Sequence, residues 1–481
     1  MTRIKIKLFK FPQTFWIGNL MELFERWAYY GMFAVLSVYL TDPVSEGGLG
    51  FSQEQRGIMQ AIVTGILYIL PILGGAIADK FGYRKVLLSA FVTLAAGYYF
   101  MGQFNGYGAV FASFLIVAVG AAIFKPIIVA TVSKTSGKGS DTIGFGIFYM
   151  IVNIGGFIGP FIASKLRDIS WSYVFIMCAI VISINFLLLY FYREPKKNNN
   201  RVTEPFSKSI KQILKNTIIV LKDLKFVLFI IIMVGFWTMY MQIFFTLPVF
   251  ITQWIDTSVI YNSSDWLANV IGAEVNGKGI IRPEMMQNLA ALTIIIFQVL
   301  VSTLVMKVRP IMSITFGIAV VALGMGQIGF QINGWYVIMG IIIIAFGEMA
   351  SSPRIQEYIG RIAPKDKVAL YMGYSFLPLA GGNILGGLLS GNLYTSFSDK
   401  YLFLKDTLVN KGLATIESLN GVDNAVLFKQ SLNLMNMSES ELTNYLYCTY
   451  HPGYIWYIFG GIGIITFILL FTYDRILLKS K

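Results

Sequence analysis

Glu22, Glu25, Arg26 and Tyr29 stand at i, i+3, i+4 and i+7 in an otherwise apolar stretch. On a helix that spacing puts two carboxylates, a guanidinium and a phenol on one face. The face runs for about 11 Å at 1.5 Å per residue. Such a stack can hold a proton, an ion and a polar ligand. A fixed ion pair stapling two helices is the plainer use. If the stretch lies in lipid, each charge costs roughly 2.5–3.5 kcal/mol, and charge kept at that cost marks function. Lys125, followed by Pro126, adds a second cation, either a counter-ion for the glutamates or a ligand contact. A proline there frees a carbonyl one turn earlier, a kink that belongs beside a cavity. Glu348 sits alone in a later apolar stretch, Arg354 and Glu357 stand i, i+3 and can pair, and Tyr149 and Asn153 stand i, i+4.

The elements that must carry these residues are membrane spans. Of 481 residues, 56% are hydrophobic and only 13% charged, whereas soluble chains carry about a quarter charged. Two cysteines and one histidine exclude a disulfide scaffold and a multi-histidine metal centre. His451, beside Pro452, reads as a surface histidine. Runs of about 20 apolar residues fit the hydrocarbon core. They fall near 14–40, 55–78, 86–104, 108–133, 143–164 and 170–192, then 226–252, 286–306, 311–331, 335–360, 368–394 and 453–473. The fold class is therefore an all-α polytopic membrane protein of twelve spans. It divides into a six-helix bundle over 1–192, a linker over 193–225 and a second bundle over 226–481. Spans one, four, five, seven, eight and ten or eleven are expected around a central cavity.

Orientation follows the cations: 26 of 38 lysines and arginines fall on the side of both termini, nine on the other and three (Arg26, Lys125, Arg354) within spans. Both termini are expected in the cytoplasm, and the net charge of +13 is a topology signal, not a nucleic-acid face. No cleavable signal peptide is expected, since the first apolar run is long and broken by charges. From Phe206 the linker alternates Phe206, Ile210, Ile213, Leu214, Leu221 and Leu224 with Lys208, Lys211, Lys215 and Lys222. Such a helix suits the inner leaflet of the bilayer. The long polar segment 395–452 is expected outside, with no role assigned.

Glu-x-x-Glu-Arg at 22–26, followed by Tyr29-Tyr30-Gly31, together with Phe148-Tyr149 and Asn153, resembles the proton-dependent oligopeptide transporter family of the major facilitator superfamily. Gly75-x-x-x-Asp79-x-x-Gly82-x-Arg84-Lys85 is similar to the superfamily's loop signature, and Gly347-Glu348 with Pro353 to the family's tenth helix. The resemblance implies the major facilitator fold and proton-coupled symport of di- and tripeptides or peptide-like zwitterions by alternating access. It implies that Glu22, Glu25, Arg26 and Lys125 carry the proton. It also implies that Arg26, Tyr29, Tyr30, Lys125, Tyr149, Asn153 and Glu348, with Asn288 as a looser match, meet the substrate. Asp79 and Arg84 would form a cytoplasmic gate. Partners are then a short peptide, a proton and the bilayer, with no cofactor and no metal.

Three residues depart from the pattern. Met241 stands where the family has an acid, Ser375 where a pocket tryptophan is common, and Arg354 adds an unexpected charge. They keep open a carrier for another small polar or anionic solute. A transport-dead nutrient sensor signalling through 193–225 or 395–452 is a third reading. An enzyme is not expected, for no phosphate loop or nucleophile elbow occurs.

Overall fold

The computed structural model describes residues 11–136, 141–195, 215–275, 277–364 and 367–478. Seven helices form the first half: α1 Gln13–Thr41, α2 Gln53–Ile69, α3 Pro71–Phe81, α4 Tyr83–Met101, α5 Tyr107–Ser136, α6 Asp141–Arg167 and α7 Trp171–Phe191. Pro71 splits the second span into α2 and α3, because proline cannot donate to the helix ladder. The second half opens with a span in three pieces, α8 Leu224–Tyr240, α9 Gln242–Phe245 and α10 Leu247–Trp254. Short helices α11 Ser258–Tyr261 and α12 Asp265–Ile271 follow, then an antiparallel hairpin of β1 Gly272–Val275 and β2 Lys278–Ile281 with Gly272 opposite Ile281. The remaining long helices are α13 Pro283–Val305, α14 Pro310–Ile328 and α15 Gly334–Ile362, then α16 Val368–Gly373 with α17 Leu377–Phe397. Four cap helices, α18 Lys400–Asn410, α19 Ile416–Leu419, α20 Asn424–Met435 and α21 Glu439–Tyr450, precede the last long helix, α22 Tyr454–Tyr473.

Among the described residues, nine helices are long and apolar enough to cross a membrane. The other three expected spans are present as α1, α4 and α17. Their composition explains the shortfall: α1 carries the charged triplet, α4 opens on Arg84-Lys85, and α17 is rich in glycine.

Glycines set how closely the long helices pack. A Cβ on Gly159 would lie 2.3 Å from the Trp27 carbonyl oxygen, so α1 and α6 touch backbone to backbone. The two halves meet the same way. A Cβ on Gly387 of α17 would lie 2.6 Å from the Ala61 nitrogen of α2, and one on Gly57 would lie 2.6 Å from the Gly387 carbonyl oxygen.

The segment 395–452, to which the sequence assigned no role, folds as a helical cap. Leu404, Leu408, Leu442 and Leu446 are buried within it. The Trp254 indole donates to the Ser398 carbonyl at 2.7 Å, and the Ser398 hydroxyl donates to the Pro452 carbonyl at 2.8 Å, closing its base. The cap belongs to the second half but reaches the first. Ser45, in the 3-10 turn Val44–Glu46, donates its hydroxyl to Asp423 Oδ1 at 2.6 Å and its backbone N–H to Oδ2 at 3.2 Å. This end of the molecule is called the cap end below, and the end carrying 193–225 the linker end. His451 is exposed at the end of α21, in the left-handed conformation. In the linker, Phe206, Lys208, Ile210, Lys211, Ile213 and Leu214 lie outside the described residues, while Leu221 and Leu224 are exposed.

Candidate functional site

On α1 the predicted face forms as its spacing requires. Glu22, Glu25 and Arg26 are all buried. Arg26 grips Glu25 with two bonds, Nε to Oε2 at 2.5 Å and Nη2 to Oε1 at 2.7 Å. Its Nε also lies 3.5 Å from Glu22 Oε1, and the same oxygen lies 3.5 Å from Lys125 Nζ of α5. One carboxylate oxygen is thus shared by two cations. Glu22 Oε2 is buried with no hydrogen-bond partner among the described atoms. The guanidinium also lies over two rings, 4.8 Å from Tyr29 and 5.5 Å from Tyr30. Two cations against two carboxylates leave the cluster neutral when all are ionised, which lowers the cost of burial. Lys125 keeps 34% of its side chain accessible, so the cluster is open on one side.

Beside it, between the halves, lies a cavity of about 110 Å³. Tyr30, Asn153 and Pro160 line it from the first half, and Tyr240, Asn288 and Glu348 from the second. Spans one, five, seven, eight and ten supply these residues. The Tyr240 hydroxyl donates to Glu348 Oε2. Asn153 donates to its own helix, to the Tyr149 carbonyl at 2.8 Å, while Asn288 reaches across the halves to the Phe157 carbonyl at 2.9 Å. The carbonyl oxygen of Asn288 is buried without a partner among the described atoms, and so is that of neighbouring Gln287.

The structure therefore sorts the predicted residues into two groups. Glu22, Glu25, Arg26 and Lys125 form one charge cluster; Tyr30, Asn153, Asn288 and Glu348 share one cavity. Two tyrosines do not line the cavity. Tyr29 is buried against the charge cluster, its ring 4.8 Å from the Arg26 guanidinium and stacked on Phe33 at 5.2 Å. Tyr149 is 47% exposed. The side chain of Asp79 lies outside those described. Arg84 is exposed, and its backbone N–H donates to Glu194 Oε1 at 2.8 Å, a contact within the linker end. Arg354 pairs with Glu357 and donates to the Val305 and Val308 carbonyls, so it caps the C-terminus of α13.

Sequence reading missed the polar groups that tie the halves together at the cap end. Arg56, one of the nine cations placed on the outer side although it falls at the start of the 55–78 run, lies inside α2 and is buried. It donates to the Phe245 carbonyl, to Ser390 O at 2.9 Å, to Gln53 Oε1 at 3.0 Å and to Gln60 Oε1 at 3.1 Å. The polar stripe Gln53, Arg56, Gln60 and Thr64 on an apolar helix was the available signal. Arg167 of α6 lies 3.1 Å from Glu284 of α13 and 3.4 Å from Asp42, and Arg282 pairs with Asp168. Charges at span ends read as ordinary interface residues, and nothing local shows that they pair across the halves.

A family model described as Major Facilitator Superfamily matches residues 15–264. The chain is 29% identical over 194 residues to the uncharacterized transporter YclF of Bacillus subtilis (strain 168), covering 39% of each chain. To dipeptide and tripeptide permease A of Escherichia coli (strain K12) it is 28% identical over 186 residues, covering 37% of this chain and 35% of the permease. These sequence matches span less than half of either relative's length. Likeness in fold runs further. A POT family transporter solved in complex with a thioalcohol conjugated peptide superposes with TM-score 0.70 at 18% identity, over 96% of both chains. A POT family transporter in complex with 5-aminolevulinic acid gives 0.69 at 18% identity, again over 96% of both.

Proposed function

Because the chain belongs to the Major Facilitator Superfamily, a family of transporters and not of enzymes, we propose that it is a proton-coupled importer of short peptides or peptide-like zwitterions. The observation that carries this reading is the placement of opposite charges. Arg26 and Lys125 stand in the first half and Glu348 in the second, with a cavity between the halves. A zwitterion has two poles and needs two. Its carboxylate would face Lys125 and Arg26, and its amine Glu348 and Asn153. Tyr30 supplies a hydroxyl for the peptide amide and a ring face for side chains.

The proton enters at the neutral cluster. Protonating Glu22 or Glu25 leaves the cluster with a net positive charge, which favours a carboxylate nearby. The shared oxygen on Glu22 couples the two cations, so a proton placed on either glutamate is felt by the whole cluster. Linkage then makes protonation and substrate binding support each other. The halves rock about the site, opening it to each side in turn. Both termini and the linker are assigned to the cytoplasm and the cap end to the outside. Asp79 and Arg84 remain assigned to the gate at the linker end.

The test is uptake of a labelled dipeptide into proteoliposomes with and without an inward proton gradient. Accumulation should require the gradient. Acetylating the dipeptide amine should sharply weaken competition, and Glu348→Gln should erase that preference. Equal competition by the acetylated peptide would remove Glu348 as the amine partner. Met241 in the seventh span offers no proton site and supports the second reading, a carrier for another small polar solute.

A further inference from the structure

At the cap end, two carboxylates compete for one guanidinium. Arg167 Nη1 donates to both oxygens of Glu284, at 3.1 and 3.3 Å, across the boundary between the halves. Its Nη2 donates to Asp42 Oδ2 at 3.4 Å, within its own half. The guanidinium also lies over the Trp171 ring, 4.1 Å from its centre, a contact within its own half that favours this position. Glu284 is fully buried, whereas 13% of the Asp42 side chain is accessible. That access is to a cavity of about 1100 Å³ beneath the cap, which Asp42, Arg167, Arg282 and Glu46 help to line.

We propose that Asp42 is a second proton-binding site, which closes the cap end when it takes a proton. The mechanism is a choice of partner. With Asp42 ionised, Arg167 has a carboxylate inside its own half and can let Glu284 go. With Asp42 protonated, Glu284 is the ionised partner that Arg167 keeps among the described residues, and the two halves are drawn together. Asp42 and not Glu284 takes the proton, because it makes one long bond where Glu284 makes two shorter ones, and it alone faces the water-accessible cavity.

The groups facing Asp42 come from four elements: Arg167 on α6, Glu46 in the 3-10 turn, Arg282 and Glu284 at the start of α13, and Tyr401 on the cap. Burial, with Glu46 and Glu284 adding repulsion, outweighs the attraction of Arg167 and Arg282 and pushes the Asp42 carboxyl up to about 7. When the halves part, water returns and Glu284 withdraws, so the carboxyl falls back towards its ordinary range. The closed state then binds the proton more tightly. Its advantage is absent above about pH 7 and grows as pH falls, levelling off near the ordinary carboxylate value.

This inference rests on the transport reading for its purpose, but its test needs no transport. In a Cys448→Ser background, spin labels at Phe104 and Trp266, exposed on opposite halves at the cap end, report the gap. The short-distance population should dominate at pH 5 and give way to a longer one above pH 7. Asp42→Asn should hold the short distance across the whole range. Asp42→Glu should restore the pH response, and Glu284→Gln should give the long distance even at pH 5. A wild type that ignores pH, or an Asp42→Asn variant that still responds or opens, overturns the proposal, since a mere strut would open when removed. If the gap responds as expected while dipeptide uptake shows no gradient dependence, the transport reading fails and this site stands.

Discussion

Arg26 and Arg56 are two buried guanidiniums on the first two spans, and their surroundings are opposite. Arg26 is held by carboxylates and shares one of them with Lys125. Arg56 has no ion pair among the described residues; its hydrogen bonds go to carbonyls, amides and a hydroxyl on α2, α9 and α17. A carboxylate can be neutralised by a proton, so Arg26 can be released. A carbonyl cannot be, so Arg56 is a clamp that pH does not reach. The contrast teaches where a transporter can place a switch and where it needs a hinge that stays shut until the halves rock. It also gives the two regions different expected responses to mutation.

The largest effect is expected from Arg56→Met. It leaves the Phe245 and Ser390 carbonyls without their donor, at about 1–3 kcal/mol for each buried acceptor. The melting temperature should fall by the same amount at pH 5.5 and pH 8; a pH-dependent fall would break the contrast. Glu25→Gln comes next. It removes the charge from the two-bond grip on Arg26, worth about 1.5–3 kcal/mol for hydrogen bonds to a charged group. Gradient-driven uptake should be lost while counterflow exchange survives in part, and full concentrative uptake would refute proton coupling at this motif. The smallest effect is expected from Gly387→Ala, where a Cβ would press on the Ala61 backbone of α2. Overpacking of that kind costs about 1–3 kcal/mol where nothing yields. Its fall in melting temperature should stay below that of Arg56→Met and be equally indifferent to pH, sharpening the reading of this interface as structural.

How much was legible can be followed residue by residue. The Glu22–Glu25–Arg26 stack needed only the helical repeat, since all three lie within two turns of one helix. Lys125 was found as a charge in an apolar run, readable as a counter-ion for the glutamates or as a ligand contact; only the structure sets it 3.5 Å from Glu22. Glu348 was found in the same way, but its bond with Tyr240, 108 residues away, was not visible. Arg56 was missed because it stands three residues inside α2, where a hydropathy boundary cannot separate a span end from a loop.

Composition and period by themselves determined that this chain is a helical membrane protein, where its long apolar helices lie, and which helix carries the buried charges. Those are properties of a single helix in a low-dielectric slab, and the slab imposes them on any sequence. Tertiary structure alone decided that Arg167 lies between Asp42 and Glu284, that Arg56 reaches α9 and α17, and that residues 400–450 fold over the cap end and touch Ser45. Each of those contacts joins residues more than a hundred positions apart. Helical spacing specifies neighbours within about two turns; which helix faces which is settled by glycine contacts and by charges that must find a partner.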